Sequence, residues 1–223
     1  MELLKKIIKG ICAGISIGIG AVAYLACAVK GQPIIGACMF SVGILVVMEF
    51  KFSLFTGFVP TAKKMPVGKY ILDSFIVMAS NFVGAAGLAL LIYCTRIYDT
   101  FKDLVGQMVE TKLNDNLLSV FILSILCGIL IAMIVKAKEY KKHVLYVVIL
   151  IAVFILSSYE HVVANSFYVV FAFKLFTTKG LLFMLVNFVG NFVGGLAYSY
   201  VDYLQAVNKE KTLDTKDIDN ENK

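Results

Sequence analysis

The run LLSVFILSILCGILIAMIV, residues 117–135, contains no charged side chain. It matches the ~18–20 apolar residues that a helix needs to cross the hydrocarbon core of a bilayer. Five more apolar segments flank it, at 11–29, 34–60, 70–94, 144–173 and 180–200, separated by short loops that carry Lys, Arg, Asp or Glu. An open sheet cannot sit in lipid and a closed barrel needs short alternating strands, so continuous runs of this kind predict helices. The whole chain agrees: of 223 residues 60% are hydrophobic and 16% charged, with a mean hydropathy of +0.85, against roughly 45–50% apolar residues in a soluble domain. Water is not its solvent. The fold class expected is an all-α polytopic membrane protein with six transmembrane helices.

Composition removes several classes. Cys12, Cys27, Cys38, Cys94 and Cys127 stand singly in apolar segments with no CxxC spacing, so they read as small core residues, without a disulfide framework or a metal site. The first segment follows Lys5, Lys6 and Lys9 but lacks a small-residue cleavage pattern, which predicts a retained helix rather than a signal peptide. Lysines 5, 6, 9, 63, 64, 69, 136, 138, 141 and 142 fall on one side of the expected spans. Only Lys30, Arg96, Lys102, Lys112, Lys174 and Lys179 fall on the other. That bias predicts a multi-pass protein of the inner or plasma membrane with both termini cytoplasmic. The net charge of +6 is thus a topology signal and an attraction to lipid headgroups, and no nucleic-acid partner is expected. No Walker loop, dinucleotide fingerprint or HExxH is present, so no cofactor and no enzyme activity are expected. A single haem held by His143 and His161 is excluded by distance, since 18 helical residues span ~27 Å.

The chain repeats itself. SNFVGA at 80–85 and GNFVGG at 190–195 share Asn-Phe-Val-Gly at an offset of 110 residues. Three spans per copy is an odd number, so the second copy enters the membrane from the opposite side, giving a 3+3 inverted repeat. Repeat A covers about 10–95 and repeat B about 117–203. Between them, 97–116 mixes apolar and charged residues at helical spacing and predicts a helix lying at the membrane edge. Together these make a transmembrane domain of residues 1–203, followed by a tail, 204–223, whose polar composition predicts disorder.

Segments two and five share an oddity. Each is longer than a ~30 Å core requires and carries a polar, small-residue patch at mid-run, SLFTG at 53–57 and EHVVAN at 160–165. Tilt would absorb the length but gives no reason for Glu160 and His161 to stand there. Both segments therefore read as broken helices meeting near the midplane, around a membrane substrate site.

The strings AGISIGIGAVAY (13–24), FSVG (40–43), LFTG (54–57), EHVVAN (160–165) and GNFVGG (190–195), in this order and spacing, resemble the signatures of the formate/nitrite transporter family. The resemblance implies an aquaporin-like fold and a homopentamer in which each protomer has its own pore. The substrate implied is a small monovalent anion such as formate, nitrite or hydrosulfide, and helices two and five break around a central His. The family's vestibule lysine falls on His143, with Lys142 immediately before it. Ser53, Phe58 and Gly128 stand where the family has Glu, Asn and Asn.

His161 is accordingly expected on the substrate path, where imidazole can donate a hydrogen bond or lend a proton to a weak acid. Thr56 on the opposing break is its expected partner. Phe55, Phe58 and Phe167 are candidate apolar constrictions, and Asn165, Lys142 and His143 complete the expected pathway. Gly57, Glu160 and Asn191 are expected to shape the breaks, Glu160 by holding backbone donors or a subunit interface. The competing class, a non-transporting membrane scaffold or sensor that kept the fold, gives no reason for a histidine at the break.

Overall fold

The computed structural model describes residues 1–139 and 144–221. The chain runs through α1 (Glu2–Ala28), α2 (Pro33–Glu49), α3 (Phe55–Phe58) with a 3₁₀ turn (Val59–Lys64), α4 (Val67–Tyr93), α5 (Ile97–Asn114), α6 (Leu117–Glu139), α7 (Val144–Leu156), α8 (Val162–Phe171) and α9 (Thr178–Glu221). Four helices, α1, α4, α6 and the first part of α9, are long and apolar enough to cross a membrane. The second and fifth hydrophobic segments are instead split into α2 and α3, and α7 and α8.

The interruptions lie earlier than the polar patches suggest. Residues 50–54 and 157–161 are non-helical, whereas Thr56 and Gly57 sit inside α3, and Asn165 inside α8. Neither gap contains Gly or Pro. The second residue of each lies in the left-handed region, Lys51 at φ 53° and Ser158 at φ 54°. The next N–H turns back to close the helix, Phe52 donating to the Val47 carbonyl at 2.9 Å and Tyr159 to the Phe154 carbonyl at 3.2 Å. This is the Schellman ending, which satisfies carbonyls that a helix end leaves orphaned. Gly57 is not the breaker: its missing side chain leaves room for Val135, whose Cγ2 would lie 3.1 Å from a Cβ there.

An unwound turn in lipid must find partners for its backbone groups, and one asparagine in each half supplies them. Asn81 accepts from the Phe55 N–H at 2.7 Å and donates to the Ser53 and Gly10 carbonyls. Asn191 accepts from the Val162 N–H at 2.9 Å and donates to the Glu160 and Ser124 carbonyls. These are the asparagines of the repeated Asn-Phe-Val-Gly string, and each bonds backbone groups at one of the two gaps. Its counterpart Asn81 is not among the expected site residues, although the repeat contains it.

The same strings bring helices into close contact. A Cβ on Gly84 would overlap the Ile11 carbonyl of α1, and one on Gly194 the Ile125 carbonyl of α6. Small residues permit such backbone approach in membranes. Gly194→Ala is therefore expected to lower stability by about 1–3 kcal/mol, read as earlier melting in detergent. Gly87→Ala, with nothing within 4 Å of its Cβ, is expected to be neutral or slightly stabilising.

The segment between the halves forms α5, whose buried face is Phe101, Val105, Val109 and Leu113, one residue per helical turn. Its other side is polar, with Glu110 paired to Lys174 at 2.7 Å. That ammonium holds the Glu110 carboxyl below the usual range. The α9 backbone continues as helix to Glu221, through residues whose composition predicted disorder from 204. The stretch 204–213 contains Leu, Gln, Ala, Glu and Lys, residues whose intrinsic preference is helical, and it continues a helix already nucleated in the last span.

Candidate functional site

His161 is the N-cap of α8, with extended backbone at φ −100° and ψ 114°. Its ring is held from both ends. The Ala164 N–H donates to Nδ1 at 3.2 Å, and Nε2 lies 2.9 Å from the Thr56 hydroxyl oxygen. An Nδ1 that accepts cannot carry a proton, so the neutral ring bears its proton on Nε2 and donates it to Thr56 Oγ1. Thr56 then keeps its own hydroxyl proton for another acceptor. The pair expected from the two breaks, 105 residues apart in sequence, is brought together, and both side chains are buried.

Two cavities lie in this region, one with His161 in its wall and one walled by Leu54 and Gly57, which flank Thr56 in sequence. One, of about 600 Å³, reaches from His161, Phe154 and Leu123 past Tyr24 and Tyr168 to Lys112, Asn114 and Asp115. The other, of about 470 Å³, is bounded by Ile44, Leu54, Gly57, Phe58 and Val135 and extends to Lys51 and Thr61. The pathway candidates among the phenylalanines divide. Phe58 lines the second cavity and stacks on Tyr70. Phe55 is buried against Phe188, with centroids 5.0 Å apart, and against Phe192. Phe167 is buried against Tyr168 and Phe171. The ring edge-on to His161 is Phe154, at 5.9 Å, itself edge-on to Phe40 at 5.8 Å. No feature of the sequence distinguished these two from the other phenylalanines.

Glu160 is buried beside His161. Its carboxylate accepts from Lys112 Nζ at 2.6 Å and Asn165 Nδ2 at 2.8 Å, with 5% of the side chain exposed and 16% of that of Lys112. Asn165 is thus a partner of Glu160 rather than of the substrate path alone, and its amide is held in turn by Asn187 Oδ1 at 2.7 Å. Asn187, fully buried, also donates to the Ser124 hydroxyl and the Glu160 carbonyl. Sequence reasoning missed both Lys112 and Asn187. An intramembrane carboxylate demands a cation, a signal to which the charged residues of 97–116, Lys112 among them, were the available answer. Asn187 lies one helical turn before Asn191 on the same face.

Lys142 and His143, the residues expected to hold the vestibule charge, lie outside the described residues. The cation brought to Glu160 is instead Lys112 of α5. Among the described residues no group of three or more His, Cys, Asp or Glu could hold a metal ion.

The chain matches a known family and its fold matches solved structures. The family model for the formate/nitrite transporter matches residues 1–204. A solved pentameric formate channel with formate bound superposes with a TM-score of 0.77 at 22% identity, over 92% of this chain and 98% of that one. An ion channel of the FNT family superposes with a TM-score of 0.74 at 20% identity, over 92% of this chain and 89% of that one. No curated protein matches the chain. At these identities the superpositions speak for the fold.

Proposed function

Because the chain belongs to the formate/nitrite transporter family, we propose that it is a membrane channel or transporter for small monovalent anions or their weak acids, of the formate, nitrite and hydrosulfide class. The observation that carries this reading is the buried Thr56–His161 hydrogen bond, with His161 in the wall of one cavity and Leu54 and Gly57, next to Thr56 in sequence, in the wall of the other. A bare anion loses its hydration at an apolar constriction at large cost, whereas its neutral acid crosses far more cheaply. A histidine at that point can exchange the proton on which the difference depends. Lys51 lines the second cavity, while Lys112 at the first is paired with Glu160.

In this reading the protomer is a six-span inverted repeat whose second and fifth helices are broken. The paired roles of Asn81 and Asn191, and of the left-handed residues Lys51 and Ser158, support it. Five protomers assemble around an axis that is not the anion path, by analogy with the solved formate channel, which is pentameric. The termini lie in the cytoplasm, following the lysine bias.

The test is a panel of formate, nitrite and hydrosulfide in proteoliposomes with internal pH recorded, on particles sized by light scattering. Anion-dependent flux from a pentamer is the expected result. A folded pentamer with no flux of any of the three would identify a scaffold that kept the fold, and a particle of monomer or dimer mass would contradict the assembly.

A further inference from the structure

Lys51 follows the end of α2 at φ 53°, a conformation in which a Cβ crowds the backbone and glycine is the favoured residue. Such strain costs about 1–3 kcal/mol in a residue with a side chain. Glycine would close α2 with the same backbone bonds, so the closure itself gives no reason for a lysine. The side chain is exposed in the wall of the 470 Å³ cavity. Among the described residues its neighbours there are apolar, apart from the hydroxyls of Ser53 and Thr61, and none of them carries a carboxylate. Glu49, the nearest acid in sequence, lies outside that wall. No ion pair engages Lys51 among the described residues.

The first cavity is built the other way. Its lysine, Lys112, is neutralised by Glu160 at 2.6 Å, and Asp115 adds a further negative charge to the wall. One mouth therefore carries an uncompensated cation and the other a compensated one. An ammonium in a cleft with low-dielectric walls focuses its field and concentrates small anions there. Being a strongly hydrated point charge on a flexible stem, it attracts without the bidentate grip that would trap the ion. Weak attraction is what conduction needs, since the ion must leave as readily as it enters.

We propose that Lys51 is the anion-recruiting group of the second cavity, gathering small monovalent anions beside α3, the helix that carries Thr56. The inference rests on the anion-channel reading. Its test is formate flux against formate concentration for the full-length protein in liposomes, at low ionic strength and again in a high concentration of an impermeant salt. Lys51→Gly suits the left-handed backbone, so it separates charge from folding. It is expected to melt no lower than the wild type and to raise the half-saturating formate concentration about fivefold at low ionic strength, with maximal flux little changed. Lys51→Arg is expected to behave as wild type and Lys51→Glu to be worse than the glycine variant. High salt is expected to erase these differences. A glycine variant with wild-type half-saturation, or one that loses only maximal flux, overturns the role of Lys51 while wild-type flux leaves the channel reading standing. Absence of wild-type flux from a folded pentamer overturns both.

Discussion

Exchanging His161 for phenylalanine is expected to change formate flux by about tenfold or more somewhere between about pH 5 and 8, the range in which imidazole exchanges its proton, while the oligomer persists. Phenylalanine keeps a ring that can stand edge-on to Phe154. It removes both ring nitrogens, and with them the bond to Thr56 and the cap on the Ala164 N–H. A lost N-cap costs about 1 kcal/mol, too little to unfold the protein. A tenfold change in rate corresponds to only about 1.4 kcal/mol of barrier, small beside the desolvation cost of an anion. His161→Asn supplies the control, because asparagine caps a helix and keeps a polar group at the position but cannot exchange a proton near neutral pH. It is expected to conduct with a flattened pH profile. Proteoliposome flux measured across this range decides the matter, and a phenylalanine variant with wild-type flux at every pH would rule out a proton exchanged at this position.

Lys112→Met is expected to be among the most destabilising single substitutions, at about 3–5 kcal/mol. It strands the Glu160 carboxylate in a buried place with the Asn165 amide as its remaining side-chain donor. Taking two charges out of water is costly. Their mutual attraction offsets that cost, so deleting one partner leaves an uncompensated charge whereas deleting both does not. The double variant Lys112→Met with Glu160→Gln is therefore expected to recover most of the lost stability, since an amide oxygen still accepts from Asn165. Melting of the detergent-solubilised oligomer measures this directly. A double variant as unstable as the single one would show that the two side chains act independently.

Much of the frame was legible along the chain. The run 117–135 required a membrane helix whatever surrounds it, because the cost of a backbone group without a partner in hydrocarbon is local and large. Polar residues at mid-run located both interruptions to within a few positions, and Glu160 and His161 lie in the second gap as read. The start of the first gap, at Phe50–Lys51 rather than Ser53, was not legible. Nothing in Phe-Lys-Phe announces a left-handed turn, and it is held by bonds back to Val47 and Met48. Burial is apolar on both sides of these helices: in α6, Ile131 and Ala132 face inward while Ile122 and Leu126 face out. Helical periodicity therefore cannot say which ring turns to a cavity. Phe154 rather than Phe55 or Phe167 stands beside His161 for reasons of packing alone.

What the sequence by itself determined is the membrane class, the repeated Asn-Phe-Val-Gly strings and the histidine at a break. Each is a property of a short stretch and of the cost of burying polar groups in lipid. Only the tertiary structure decided that Lys112 compensates Glu160 across 48 residues, that Asn187 holds Asn165, and that Lys51 is left uncompensated in the second cavity. Those outcomes depend on which residues distant in the chain reach the same few ångströms, and a charge is neutralised by its neighbours in space, whatever their order in the chain.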